Sequence, residues 1–202
     1  FVGLVLSNEG RIYVLGQKER AWHKLSDQAL LLMTIQNSQY DLKYLASEEY
    51  DISQSKCVND NVNQQLCVGG LLSKSGEEAS VGYFVSRIAD TETNPELLIS
   101  NITFNMEFIS EIYGKKNTRI KKISDVFLEK LLICEDGGVV LIYWIKKEFL
   151  RRAGSSAMSR FGDVYSGRGY IDYYNEDLIL LSINPDGRKQ WKTVLYKKQF
   201  SQ

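Results

Sequence analysis

The sequence predicts a mainly β protein of antiparallel hairpins with one short helix. Three observations carry that reading. Apolar and polar residues alternate with period two, as in YDLKYLASEEYDI. Turn residues break the apolar runs at short intervals, most sharply at Asp136-Gly137. The chain holds 12 tyrosines but only 2 prolines, and aromatic residues fit the pleated, half-buried surface of a strand.

Taken in order, VGLVLSNEGRIYVLGQ reads as a strand, a turn at Asn8-Glu9-Gly10 and a second strand. ALLLMTIQ is a buried strand, and Asn37-Ser38 is the turn into YDLKYLASEEYDI. In that run Leu42, Tyr44 and Ala46 share one face, with Asp41, Lys43 and Leu45 opposite. The stretch from Ser53 to Gln64 is polar and rich in Asn and Gln, which suits a loop. QLCVGGLLSK is a strand with a turn at Ser75-Gly76, and GYFVSRIAD is its partner. Residues 91–100 form a connection around Pro95. Residues 102–113, ITFNMEFISEIY, have helical period: Phe104, Phe108 and Ile112 recur every four residues, and Gly114 follows as a stop. EKLLICE, the Asp136-Gly137 turn and VVLIYWIKKEF form a hairpin. Residues 151–175 read as an irregular insertion rich in Gly, Ser and Arg. The chain closes on DLILLSI, a turn at Asn184-Pro185-Asp186-Gly187, and KQWKTVLYKK.

Composition excludes several classes. The chain has 202 residues, 25 Lys plus Arg and 25 Asp plus Glu, so its formal net charge is zero. That leaves no basic excess for nucleic acid. The basic cluster from Lys115 to Lys122 has no stacking aromatic within it and reads as a solvated loop. No apolar run reaches the ~18 residues a membrane-spanning helix needs. The chain enters a strand pattern directly at Phe1, as a processed chain or an excised fragment would. Cys57, Cys67 and Cys134 are irregularly spaced and contain no CxxC pair, so neither a zinc site nor a disulfide framework is expected. Cys57 and Cys67 are ten residues apart and open to pairing, although Cys67 and Cys134 sit in apolar strand patterns as small core residues.

No catalytic motif emerges. His23 is the single histidine, and Trp22-His23-Lys24 places no partner at motif spacing. There is no G-x-S-x-G, and Gly167-Arg168-Gly169 is a lone GxG that follows no strand. Glu48-Glu49 and Glu77-Glu78 are neighbours whose side chains diverge in a strand. Asn101-Ile102-Thr103 is an N-glycosylation triplet that chance often produces. No cofactor, metal or catalytic residue is assigned. The binding candidates lie in the 151–175 insertion, where Arg151, Arg152, Arg160 and Arg168 accompany Phe161, Tyr165, Tyr170, Tyr173 and Tyr174. Arg and Tyr offer large contact area with polar tips, and long loops on rigid scaffolds carry much of protein recognition.

The pieces repeat loosely in units of about 1–52, 53–113 and 114–202. Repeats holding several strands each suggest the four-stranded antiparallel blades of a β-propeller, here about three and incomplete. A β-sandwich is the alternative. DLILLSINPDGRKQW, with LCVGGLLSK and CEDGGVVLIYW, resembles the blade hairpins of quinoprotein-like and other large β-propeller proteins of bacterial envelopes. The resemblance implies that Asp186-Gly187 makes the turn and that Trp191 packs between blades. It carries over no quinone, calcium or lanthanide ligands. Because propellers close with four to eight blades, it also implies blades supplied by the rest of the same chain or by a partner subunit.

The expected function is a non-catalytic, extracytoplasmic binding or structural module that scaffolds protein or glycan interaction. A propeller-type glycan hydrolase or lyase, drawing its carboxylates from separate blades, is the alternative. Contacts with the remainder are expected at the strand edges near residues 1–16 and 188–202, where VGLVLS has no protecting charge or proline.

Overall fold

The computed structural model describes residues 1–17, 30–47, 49–89, 96–98, 101–113, 122–151, 170–197 and 199–201. Their strands are β1 (Gly3–Leu6), β2 (Ile12–Gln17), β3 (Leu30–Gln36), β4 (Gln39–Ala46), β5 (Asp51–Asp60), β6 (Gln65–Ser73), β7 (Ser80–Ala89), β8 (Glu96–Leu98) and β9 (Asn101–Thr103). The helix α1 (Met106–Tyr113) follows, then β10 (Val126–Ile133), β11 (Val139–Arg151), β12 (Tyr170–Ile183), β13 (Lys189–Leu195) and β14 (Gln199–Ser201). The chain is mainly β, with one short helix among the described residues.

Three sheets result. The first runs β1-β2-β3-β4 antiparallel, with β8 added parallel to β4. The second runs β5-β6-β7-β9, and the third β10-β11-β12-β13 with β14 also on β12. Local turn chemistry builds the hairpins. Three of them share one turn. Gly10, Gly137 and Gly187 each take positive φ, at 76°, 81° and 83°. In each, the glycine N–H donates three residues back, to the carbonyl of Ser7, Cys134 or Asn184. The N–H of that same residue donates to the carbonyl of Arg11, Gly138 or Arg188. This is a type I turn closed by a left-handed residue, a conformation glycine adopts without steric cost. The β3–β4 hairpin instead uses Asn37 and Ser38, both at positive φ, as a two-residue loop.

The sheets stack in chain order, with the second between the other two. On β6, Leu66, Val68 and Leu72 pack with Tyr13, Leu15, Leu30, Leu32 and Leu45 of the first sheet. The alternate residues Cys67 and Leu71 pack with Leu131, Leu141, Tyr143 and Leu181 of the third, together with Phe108, Ile109 and Ile112 of α1. Both faces of β6 are therefore buried, and Gly69-Gly70 allow the neighbours to come that close. A Cβ on Gly69 would meet the Leu141 side chain at 2.9 Å, and one on Gly70 the Gln54 carbonyl at 2.1 Å.

The first strand of each sheet lies against the first strand of the next, β1 against β5 and β5 against β10. Gln54 joins the second pair: its amide donates to the Val126 carbonyl at 3.1 Å and accepts from the Leu128 N–H at 2.8 Å. Farther out, Arg87 on β7 donates to the carbonyls of Gly137 and Asn184, in two turns of the third sheet.

Several expectations are corrected here. Ser53–Gln64 is not a loop: β5 occupies it as far as Asp60, and the turn is confined to 61–64. Two of its polar side chains bond to other strands, Ser53 Oγ donating to the Leu71 carbonyl and Gln54 to β10. At its end Asp60, 2% exposed, accepts from the N–H groups of Val62 and Asn63 and from the side chains of Asn63 and Gln65. Burial pushes the Asp60 carboxyl up, but these bonds outweigh it and hold its pKa below the ordinary value. YDLKYLASEEYDI is not one strand, because β4 ends at Ala46 and β5 begins a new sheet at Asp51. Within 91–100, Glu96–Leu98 is a strand. The helix starts at Met106, since 101–103 pair with β7. Asn105 caps it, its side chain accepting from the Phe108 N–H at 2.8 Å. Phe104 precedes the helix and still joins the apolar face, stacked on Phe108 at 5.0 Å.

Candidate functional site

The 151–175 segment is shorter as an insertion than its composition suggests. β11 extends to Arg151 and β12 begins at Tyr170, paired Arg151 to Tyr170, Glu148 to Tyr173 and Lys147 to Tyr174. Beyond the register shift between Trp144 and Lys146, neither β10 nor β13 accompanies these strands. They form an arm on which β14 adds a short third strand at Tyr173–Asn175. A β-bulge at such a junction re-aims the strands beyond it. The backbone of Arg151, Tyr170, Tyr173 and Tyr174 is thus placed at the base of the arm, while Arg152, Arg160, Phe161, Tyr165 and Arg168 lie outside the described residues. His23, Glu48 and Gly167-Arg168-Gly169 also lie outside them. Glu77 faces Lys122 in an exposed ion pair at 3.2 Å. Among the described residues, no three His, Cys, Asp or Glu side chains cluster as metal ligands would.

A polar cavity of about 290 Å³ opens beside the β3–β4 hairpin, lined by Arg11, Tyr13, Gln36, Asp41, Lys43 and Ile88. Arg11 Nε donates to Gln36 Oε1 at 3.0 Å, and Lys43 is 5% exposed. Sequence reasoning placed Lys43 and Asp41 on one face of their strand, and that face lines this cavity.

The larger feature is a pair of apolar sheet faces. On the first sheet, the side turned away from the second carries the cross-strand row Leu4, Val14, Met33, Leu42. The next row is Leu6, Ile12, Ile35, Tyr40. No charged residue enters either row, and Leu4, Leu6 and Tyr40 are well exposed. On the third sheet, the outward side carries the row Phe127, Trp144, Leu178, Leu195. The next row is Lys130, Ile142, Leu180 and Thr193, with Lys130 exposed, and beyond it stand Leu132, Val140, Ser182 and Trp191. Trp191 is 43% exposed on this outer face, so it does not pack between two sheets of this chain as the resemblance implied. It pairs with Ser182, whose alternation on β12 directs it away from the core that Leu181 and Ile183 enter. Apolar residues at successive positions in ALLLMTIQ and VVLIYWI were the signal for two-sided burial, since a strand with one wet face alternates.

Leu4, Leu6, Tyr40, Phe127, Leu132, Trp191 and Leu195 are large apolar residues exposed on these two faces. The class defined at this point is an open, three-sheet antiparallel β stack with apolar ends. No family model matches the chain, and no curated protein or solved structure matches it. Among the described residues no helix is long and apolar enough to cross a membrane.

Proposed function

We propose that the chain is a non-catalytic binding and structural module of propeller-like blades, joined to further β structure through the outer faces of its end sheets. The arm formed by β11 and β12 then serves as the recognition element for a protein or glycan. The observation that carries this reading is the repetition of one packing mode. The second sheet buries both faces against sheets, and the outer faces of the other two carry apolar cross-strand rows, the third sheet's interrupted by Lys130 and with Lys197 Nζ 5.3 Å from the centre of the Trp144 ring. A pair of faces this apolar is stabilised by removal from water at roughly 25 cal/mol per Å².

Hydroxyl-radical footprinting tests it. Met33 and Leu4 on the first sheet, and Trp191 on the third, should be protected in the protein isolated from its native source with its associates. They should react freely in the isolated 202-residue chain at high dilution. Equal reactivity in both preparations would remove the reading.

A further inference from the structure

We propose that a second copy of this chain covers both faces, the outer face of the first sheet in one copy seated on the outer face of the third sheet in the other, twice over, to close a ring of six sheets. This rests on the interaction-module reading and names the occupant.

The packing within one chain sets the geometry. In each step, first sheet to second and second to third, consecutive first strands are in contact, at β1–β5 and β5–β10. Applied once more, that step brings a sheet of the first kind onto the row Phe127, Trp144, Leu178, Leu195. The contact is heterologous, since the two faces differ, and a heterologous contact must either close or polymerise. Three sheets per copy make six for two copies, within the four to eight at which radial sheets close.

Area favours closure over a single contact. Four strands about 4.8 Å apart and some seven residues long present a face of roughly 400 Å². One contact between two such faces removes about 800 Å² from water, the scale of incidental packing, whereas both contacts of a closed pair remove about 1,600 Å², the size of a stable, specific interface. The rows also suit each other chemically: aliphatic Leu4, Val14 and Met33 on one side meet aromatic Phe127 and Trp144 on the other.

Sedimentation equilibrium of the 202-residue chain tests this, with Leu6→Lys on the first sheet and Leu195→Lys on the third. Both residues are more than half exposed, at 61% and 51%, so each variant should keep its fold by circular dichroism. The expected result is a species of twice 23.1 kDa, weakened at least ~100-fold by either substitution alone. Val62→Lys, in the exposed turn after β5, should leave it unchanged. If either first variant fails to fold, Tyr44→Lys or Trp191→Lys probes the same face. A monomer at about 100 µM, an open polymer, or a dimer that only one face's variant disrupts would overturn the proposal. A monomer whose faces are nonetheless protected in the native preparation would reject the second copy and leave the module reading standing.

Discussion

The middle sheet and the end sheets obey different rules. In the middle sheet nearly every residue of β6 is buried, so alternation disappears and glycine enters where neighbouring chains approach. In the first sheet alternation is structural but not polar: Leu30 and Leu32 are fully buried, while Leu31 and Met33, alternating with them, are apolar and only partly buried. Strands apolar on both sides suit a sheet covered on both sides; the end sheets carry that pattern, and among the described residues a sheet packs on one side of each.

The contrast can be broken most directly at glycine. Gly70→Val should destabilise the chain by at least ~3 kcal/mol, because its Cβ would overlap the Gln54 carbonyl and lie 2.6 Å from the Phe84 ring. Gly16→Val, on the outer face of the first sheet with its nearest neighbour at 3.8 Å, should change stability by less than about 1 kcal/mol. Paired denaturant melts check both. A smaller effect is expected at the seam between the second and third sheets. Gln54→Leu removes both side-chain bonds to β10 and leaves the Val126 carbonyl and Leu128 N–H unpaired, at about 2–3 kcal/mol. Gln54→Glu keeps an acceptor for Leu128 and should recover part of that loss. The smallest effect is expected at Trp191. Its indole is 43% exposed, so Trp191→Ala in the dilute chain should cost about 1 kcal/mol or less, against the ~3–5 kcal/mol of a buried aromatic. A large drop in melting temperature at low concentration would place the indole in a packed seam.

The hairpins were legible because turn chemistry is local: Asn8-Glu9-Gly10, Asn37-Ser38, Asp136-Gly137 and Asn184-Pro185-Asp186-Gly187 all turn where their residues indicate. β5 was not, because its polarity answers to partners far along the chain. Gln54 bonds 72 and 74 residues away, and no window around it contains that information. The helix face was readable in Phe108 and Ile112, whereas its start depended on Thr103 pairing with Gly82. Trp191 shows the limit of motif resemblance, which located the turn but not the face on which the indole stands. Of the binding candidates, the flanks Arg151 and Tyr170 gained a strand register, which composition does not encode. The apolar rows were present in the strand patterns; seeing them as surfaces required knowing that, among the described residues, no further sheet stacks on them.

The placement of the thiols has a consequence for redox chemistry. Cys57 stands opposite Val68 and Cys67 opposite Val58, so the two cysteines are offset by one position and face opposite sides of their sheet. They cannot form a disulfide while the sheet is intact. Burial also pushes both thiols up to about 11, leaving only about one molecule in ten thousand as reactive thiolate at neutral pH. Cys67, fully buried in the middle sheet, also becomes a clock: its rate of capture by a thiol reagent measures how often the second and third sheets part.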